Sequence, residues 1–337
     1  MVTALVGPTA SGKSEIALAV ARQRSGHGGV ELVSVDSMAV YRGMDIGTTK
    51  PSAAVRAEVP YHLVDVVDPG QEYTVTLFQA AVRQALEGIA SRGGEALLVG
   101  GTGLYLRAVT DDLHFPGRYP EVAARLTAEL ENLGPEGSGE RLAGCARLHR
   151  RLDGLDPVAA ARIEPGNERR LVRALEVTIG SGHPFSSFGP GLERYPPSRT
   201  TLLGVQRDGD DTDRRIAERF ARLMDEGFLD EVRGLARRPG GLSRTARQAL
   251  GYRELLSHVE GGVPLPDAVD EAVRRTRAFA RRQRAWFRRD PRIEWLDPDG
   301  DPVAAVIERL GSGTPDPGAR DPGVREAGAW ETTGSDR

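Results

Sequence analysis

The sequence predicts a protein of the α/β class, with a mostly parallel sheet flanked by helices and an additional helical segment. Short apolar runs alternate with amphipathic helical patterns through the first 115 residues, which is typical of βαβ units. The strand pattern then stops between residues 116 and 199, returns near residue 201, and is followed by long helices. In a parallel sheet of this kind, ligands bind at the carboxyl ends of the strands.

The individual elements follow from local patterns. Each predicted strand is a short run rich in Val, Leu or Ile that ends near a glycine or a polar residue. The strands are predicted at residues 2–6, 31–35, 62–67, 96–101, 201–207 and 293–297. Each predicted helix of the core has apolar residues at helical spacing. These helices are predicted at residues 14–23, 74–93, 102–110, 212–237, 244–260, 266–289 and about 302–310.

The same change of pattern predicts the domain organisation. Residues 1–115 and 200–310 would form the α/β core together with the C-terminal helices. Residues 116–199 contain helical stretches separated by Gly and Pro, so we expect an all-helical insertion there. Residues 311–337 are rich in Gly and Pro, and we expect them to form a disordered tail.

The composition excludes several classes of protein. A length of 337 residues suggests about two domains, and a net charge of −3 shows no global basicity. The single cysteine, Cys145, excludes a disulfide scaffold and a cysteine-based zinc site. The sequence has no signal-peptide pattern and no apolar run of membrane-spanning length, so we expect a cytosolic protein without a membrane partner. Only two of the 45 basic residues are lysines, Lys13 and Lys50.

A glycine-rich loop after the first predicted strand fits the phosphate-binding pattern G-x-x-x-x-G-K-[ST]. Its glycines let successive backbone N–H groups face a phosphate, and the next helix presents its N-terminus to the same anion. The loop predicts a fold like that of P-loop NTPases, but ATP, GTP and a diphosphate ester would all present the same oxygens to it. The residues of this loop are Gly7, Pro8, Thr9, Ala10, Ser11, Gly12, Lys13 and Ser14.

Two polar residues follow apolar runs beside the predicted phosphate site. Asp36 could hold Mg²⁺ through water or act as a general base, or it could only cap a turn. Thr102, which follows Gly100 and Gly101, could act at the site or only N-cap the next helix. The position of both residues at predicted strand ends favours the functional interpretation.

The C-terminal part of the chain contains a strongly basic segment. Residues 274–292 hold nine arginines and one acidic residue, Asp290, with aromatic residues between them. This pattern predicts a helix with one packed face and an otherwise cationic surface, which suits the phosphate backbone of a nucleic acid. The alternative is a solvated arginine face in an arginine-rich sequence.

Further motifs occur in a recognisable order. They are GPTASGKS at 7–14, VDS at 35–37, VYRGMDIGTTKP at 40–51, LVGGTGLY at 98–105, DP at 156–157, RLVRALE at 170–176, GYRE at 251–254, TR at 276–277, RQ at 282–283 and WF at 286–287. Over about residues 3–297 the chain resembles the bacterial tRNA dimethylallyltransferases, also called tRNA isopentenyltransferases. The resemblance implies a P-loop fold whose helical insertion clasps a tRNA.

The resemblance also implies a reaction. A dimethylallyl group would pass from dimethylallyl diphosphate to N6 of adenosine 37 in tRNAs that read codons starting with U, and diphosphate would be released. Mg²⁺ would be required and held through Ser14. The P-loop would hold the diphosphate, Lys13 would stabilise the charge developing on it, and Asp36 would accept the proton of the adenine amino group. Thr102 would hydrogen-bond near the reaction centre, and the target base would be flipped out of its stack.

The resemblance further implies an interface for the anticodon stem-loop of tRNA, on a chain expected to be a monomer with no obligate protein partner. The sequence departs from the family pattern at Ala39, where glutamine is common, and at Ala123, where many members have arginine. The residues assigned to this interface are Asp36, Ser37, Met38, Ala39, Thr102, Ala123, Arg169, Arg170, Leu171, Val172, Arg173, Gln248, Gly251, Tyr252, Arg253, Arg282 and Gln283.

Two other functions fit parts of the sequence. An isopentenyltransferase acting on free adenine nucleotides would share the core chemistry, but a small acceptor needs neither a helical insertion nor an arginine-rich helix. A P-loop kinase or an ATP-driven nucleic-acid-binding module would account for the phosphate loop and the basic helix. It would not account for the stretches GTTKP at 47–51 and VGGT at 99–102.

Overall fold

The computed structural model of this protein describes residues 2–26, 28–189, 191–297 and 300–311. The predicted disordered tail lies outside these residues, apart from residue 311, which ends the last helix. The strands are β1 Val2–Val6, β2 Val30–Val35, β3 Tyr61–His62, β4 Glu95–Gly100, β5 Thr200–Gly204 and β6 Ile293–Trp295. The α-helices are α1 Lys13–Gln23, α2 Ala53–Glu58, α3 Val75–Ser91, α4 Gly103–Thr110, α5 Pro120–Glu131, α6 Gly139–Leu155, α7 Pro157–Ala160, α8 Glu168–Ser181, α9 Gly209–Asp225, α10 Phe228–Arg237, α11 Arg244–Arg247, α12 Tyr252–Gly261, α13 Leu265–Arg288 and α14 Pro302–Gly311.

The strands form one parallel sheet in the order β3-β2-β4-β1-β5-β6. Gly100 at the end of β4 pairs with Val6 of β1 on one side and with Val35 of β2 on the other. Three adjacent strands therefore end at the same level. The loops that begin at Gly7, Asp36 and Gly101 all leave the sheet from this one edge, and the predicted α/β class is confirmed.

Both faces of the sheet are buried. Ala4 and Val6 of β1 pack on one face with Phe78 of α3, whereas Leu5 packs on the other face with Val20 of α1. Successive side chains of a strand point to opposite faces. A strand covered by helices on both faces must therefore be apolar throughout, which accounts for the uninterrupted apolar runs in the sequence.

The third strand is much shorter than predicted. The predicted strand covers 62–67, but β3 is only Tyr61–His62. Leu63 and Asp65 have φ angles of 63° and 58°, in the left-handed region. Side chains rarely adopt this conformation, and a strand cannot continue through it, so the extended pairing ends after His62.

Two of the predicted long helices are broken at glycines. The prediction 212–237 is divided into α9 and α10 at Gly227, whose φ is 95°. The prediction 244–260 is divided into α11 and α12 ahead of Gly251, whose φ is 83°. A left-handed glycine ends a helix at little steric cost, so each break lets the chain turn where a continuous helix was expected.

The segment predicted as an all-helical insertion contains α5 to α8 and a short 3₁₀ helix at Phe185–Phe188. These helices bury a hydrophobic cluster of their own, which includes Leu126, Leu148 and Leu171. Asp156 ends α6 and caps α7. Its buried carboxylate accepts hydrogen bonds from the Ala159 N–H and from Ser186, which accounts for the aspartate of the Asp-Pro motif.

Buried charges hold the chain that returns from the helical segment to the sheet. Arg107 of α4 is 2% exposed and donates to the carbonyl oxygens of Leu192 and Arg194, at 3.0 and 2.6 Å. Arg292 donates to the Pro196 carbonyl at 2.8 Å. Both guanidinium groups also pair with the buried carboxylate of Asp111. This network joins the end of the helical segment to the core.

Lys50 anchors the segment that follows the second strand. Its side chain is only 2% exposed, and Nζ donates to Asp45 at 2.7 Å, Asp65 at 2.6 Å and the Tyr41 carbonyl at 2.5 Å. Each of its three N–H groups therefore has an acceptor. The buried ammonium ties three turns together, so the role of this second lysine is structural.

We expect Lys50→Met to lower the free energy of unfolding by about 2 kcal/mol, because the carboxylates of Asp45 and Asp65 lose the buried ammonium between them. The loss is smaller than for a fully buried pair, since the Asp45 side chain is 55% exposed. Urea unfolding followed by circular dichroism measures it. Arg56→Met is the matched control: Arg56 pairs with the same Asp65 from an exposed position, and its loss should cost less than about 1 kcal/mol. Equal costs for the two variants would contradict the anchoring role.

Candidate active site at the carboxyl edge of the sheet

The three loops at the carboxyl edge of the sheet lie against one another. The side-chain oxygen of Thr102 accepts from the Ser37 N–H at 3.3 Å, and the Thr102 N–H donates to the Val35 carbonyl at 3.4 Å. Thr102 precedes α4, but its side chain makes no capping hydrogen bond to that helix. Its hydroxyl instead joins the loop after β4 to the loop that carries Asp36.

The P-loop takes a curled backbone conformation between β1 and α1. Ala10 and Gly12 have φ angles of 63° and 95°, and α1 begins at Lys13. Left-handed residues within a turn direct successive N–H groups to the same side, and the first N–H groups of a helix have no partner within the helix. A Cβ atom at Gly7 would lie 2.2 Å from the Val205 carbonyl, so only glycine fits there. The loop is built to bind an anion.

Lys13 is placed at this loop and has an altered acidity. Its Nζ donates to the Pro8 carbonyl at 3.0 Å. Burial lowers the pKa of Lys13 to about 8, although the negative charge of Asp36 opposes that shift. Removing water from around an ammonium disfavours its charged form. An incoming phosphate would restore the favourable environment of the charge.

Asp36 caps a turn and still has a carboxylate oxygen to spare. Oδ1 accepts from the N–H groups of Met38 and Ala39, at 2.8 and 3.3 Å. Oδ2 has no hydrogen-bond partner among the residues that the structure describes. The turn-capping interpretation and the general-base interpretation are therefore compatible. One oxygen holds the orientation of the carboxylate, and the other is available to accept a proton.

Two arginines that the sequence analysis did not single out also reach the P-loop. Arg219 of α9 donates to the hydroxyls of Thr9 and Thr49, at 3.3 and 2.6 Å. Burial lowers the pKa of Arg219, and the charge of Asp36 opposes this. Arg207 donates to the Ser11 carbonyl at 3.2 Å. Arg207 ends a predicted strand, which is a usable signal, but nothing local distinguishes Arg219 among so many arginines.

The residues assigned to tRNA contact divide by exposure. Arg169, Arg170, Gln248, Arg253 and Arg282 are exposed. Asp36, Ser37, Met38, Thr102, Ala123, Val172 and Arg173 are half-buried. Ala39, Leu171, Gly251, Tyr252 and Gln283 are buried.

The buried members have internal roles that the sequence did not reveal. Leu171 lies in the core of the helical segment, and Tyr252 packs against Phe228 and donates its hydroxyl to Glu231 at 2.5 Å. Gln283 is bonded at both ends of its amide within the protein. Side chains in these positions support the site from inside and do not form the exposed surface.

The basic helix, α13, is less cationic at its surface than predicted. Most of its arginines have partners in the protein, and the expectation of an otherwise cationic surface is corrected accordingly. Arg274 pairs with Glu271, Arg275 with the buried Glu254, and Arg281 with Asp213, whereas Arg277, Arg284 and Arg288 bond to carbonyl or amide oxygens. Arg282 and Arg289 are exposed and have no acidic partner in the described part of the chain.

Two further classes of site were sought among the described residues. No cluster of three or more His, Cys, Asp or Glu side chains that could hold a metal is found there. Within the same residues, no helix combines the length and the apolar character needed to cross a membrane.

A parallel sheet whose central strand leads into a phosphate loop, with a carboxylate and a threonine hydroxyl at neighbouring strand ends, defines a P-loop enzyme for group transfer from a phosphorylated donor. Comparison with known proteins narrows this class. A sequence model described as IPP transferase matches residues 39–290. The chain is 47% identical over 311 residues to a tRNA dimethylallyltransferase of Kineococcus radiotolerans, covering 91% of this chain and 94% of that protein. It therefore belongs to the IPP transferase family.

Solved structures agree with this assignment. The full-length tRNA isopentenylpyrophosphate transferase of Bacillus halodurans superimposes with a TM-score of 0.63 at 32% identity, over 92% of this chain and 95% of that one. A eukaryotic dimethylallyltransferase acting on tRNA gives a TM-score of 0.66 at 25% identity, over 88% of this chain and 73% of that one. The resemblance found in the sequence motifs is confirmed.

Proposed function

We propose that this prenyltransferase moves a dimethylallyl group from dimethylallyl diphosphate to N6 of adenosine 37 of tRNAs that read codons starting with U, and releases diphosphate. The observation that carries the proposal is the meeting of the P-loop, Asp36 and Thr102 at one edge of the sheet. An anion site and a proton acceptor at one place are what transfer from a diphosphate ester to an amino group requires.

The P-loop would bind the diphosphate of the donor, which is the leaving group. Its N–H groups, Lys13 and Arg219 place positive charge where negative charge develops as the C–O bond breaks. Mg²⁺ would be held by the Ser14 hydroxyl, which is exposed in the first turn of α1. One protein oxygen suffices for Mg²⁺ that is also bound by phosphates and water, so the lack of a larger acidic cluster among the described residues fits such a site. Bound there, Mg²⁺ would supply further charge neutralisation.

Asp36 would act as the general base. The adenine amino group is a weak nucleophile, because its lone pair is delocalised into the ring. As the bond between N6 and the allylic carbon forms, the C–O bond breaks and its electron pair leaves with diphosphate. The N6 proton passes to Oδ2 of Asp36, while Oδ1 stays bonded to the N–H groups of Met38 and Ala39.

The tRNA would be held by exposed cations on two parts of the chain. Arg169 and Arg170 start α8 in the helical segment, and Arg253 and Arg282 lie on the C-terminal helices. Arginines on separate elements can contact the phosphates on different sides of a stem-loop. The target base would leave its stack to reach the strand ends. A monomer in the cytosol would be sufficient for this reaction.

One incubation tests the proposal against its alternatives. The purified protein receives labelled dimethylallyl diphosphate and Mg²⁺, with either unmodified tRNA or AMP. We expect label in tRNA alone, at N6 of adenosine 37 after nuclease digestion and mass spectrometry. A tRNA with guanosine at position 37 is the matched control and should stay unlabelled. Label in AMP would support the free-nucleotide enzyme, and no transfer to either acceptor would support a P-loop kinase or an ATP-driven module.

A further inference from the structure

Gln283 joins the two loops that leave the central strands of the sheet. It lies on α13 and is 8% exposed. Its Oε1 accepts from the Thr9 N–H of the P-loop at 2.9 Å, and its Nε2 donates to the Gly101 carbonyl at 2.8 Å. Both ends of one side-chain amide are therefore committed to backbone groups, one in the loop after β1 and one in the loop after β4.

Glycines in the loop after β4 allow this close approach. A Cβ atom at Gly101 would lie 2.4 Å from Nε2 of Gln283, and one at Gly103 would lie 2.1 Å from Nε1 of Trp286. Neither distance is compatible with a side chain larger than hydrogen. The helix α13 thus rests directly on the backbone on both sides of Thr102, which accounts for the glycines of the stretch GGTG at 100–103.

The bond to Thr9 also bears on how the P-loop binds its ligand. The Thr9 N–H is occupied by Gln283, so the diphosphate would be held by the N–H groups that follow it in the loop. The position of those groups relative to Thr102 depends on how the first turn of the loop is held. The same helix carries Arg282 on its exposed surface, without an acidic partner in the described residues.

We infer that Gln283 is a positioning residue of the donor site: it sets the P-loop relative to Thr102 through the Thr9 and Gly101 backbone groups, and it does not contact tRNA. The inference rests on the proposed function, in which the P-loop binds the diphosphate of the donor. It assigns the buried side of α13 to donor geometry and leaves tRNA contact to exposed residues such as Arg282.

Gln283→Met tests the inference, because methionine has a similar length but no polar group for either backbone partner. We expect the KM for dimethylallyl diphosphate, at saturating tRNA, to rise about tenfold, the factor for losing one hydrogen bond to a buried backbone group. The inhibition constant of inorganic diphosphate should rise in parallel. The Kd for tRNA, measured by filter binding without donor, should stay within twofold. Arg282→Met is the matched control on the next residue, and it should show the opposite pattern of weaker tRNA binding and unchanged donor KM.

A raised Kd for tRNA with unchanged donor constants in Gln283→Met would overturn the inference, and so would a lowered Tm with all three constants unchanged. If Gln283→Met does not fold, Gln283→Glu takes its place. It can accept from Thr9 but cannot donate to Gly101, and it adds negative charge beside the P-loop, so the same direction is expected. Wild-type protein that neither transfers the group nor is inhibited by diphosphate would overturn the proposed function instead.

Discussion

Asp36→Asn is expected to reduce the rate of transfer to tRNA roughly a thousandfold, within the range for loss of a general base. Asparagine keeps an oxygen that can accept from the Met38 and Ala39 N–H groups, so the turn that Asp36 caps should persist. What the variant loses is the basicity of the second oxygen. Single-turnover transfer of labelled dimethylallyl groups to tRNA measures the effect.

The Kd of the Asp36→Asn protein for tRNA should stay within about threefold of the wild-type value, because the fold of the loop is kept and no cation is removed. Asp36→Ala should be at least as slow, since it removes the turn as well. Asp225→Asn is the matched control: this carboxylate is exposed at the end of α9, and its loss should leave the rate unchanged. Near wild-type transfer by Asp36→Asn would remove Asp36 from the mechanism.

Lys13→Met is expected to lower kcat/KM for dimethylallyl diphosphate by roughly a hundredfold to a thousandfold, the usual cost of removing one group that stabilises transition-state charge. The wild-type enzyme should also have an alkaline limb. The pKa of Lys13 is about 8 in the free protein, so the ammonium is present below that pH and is lost above it. Hence kcat/KM for the donor should fall tenfold per pH unit at high pH.

The limb should disappear in Lys13→Arg, whose guanidinium stays charged, although its planar group fits the loop less well. Lys13 and Lys50 are the only lysines, so reductive ¹³C-methylation yields two lysine signals by NMR, and the titration of Lys13 can be followed directly. A Lys13 signal that titrates near pH 10.5, or a flat pH profile in the wild-type enzyme, would contradict the assignment.

Much of the fold follows from local sequence. The continuous apolar runs predict buried parallel strands, and the glycines and lysine of the P-loop predict an anion site, because these properties depend on neighbouring residues. The errors occur where one residue changes the backbone direction. The predicted strand 62–67 ends at the left-handed Leu63, and the helices predicted at 212–237 and 244–260 break at Gly227 and Gly251. Neither kind of break is evident from hydrophobic periodicity.

The site divides in the same way. Asp36, Thr102 and the P-loop could be proposed from the sequence because each follows an apolar run, and strand register then places them together. Arg219 and Gln283 could not be placed at the P-loop, since they lie 210 and 274 residues away from Thr9 in the chain. The buried positions of Leu171 and Tyr252 were equally hidden, because their motifs do not indicate which helix face is packed.

The sequence by itself determined the class of the fold, the phosphate loop and the family, because short motifs with local physical roles carry all three. Only the tertiary structure decided what surrounds the loop. It showed that Lys50 is a buried anchor, that most arginines of α13 are paired within the protein, and that Gln283 bridges two strand-end loops. Such contacts join residues that are distant along the chain, and they form only when the sheet and its helices pack together.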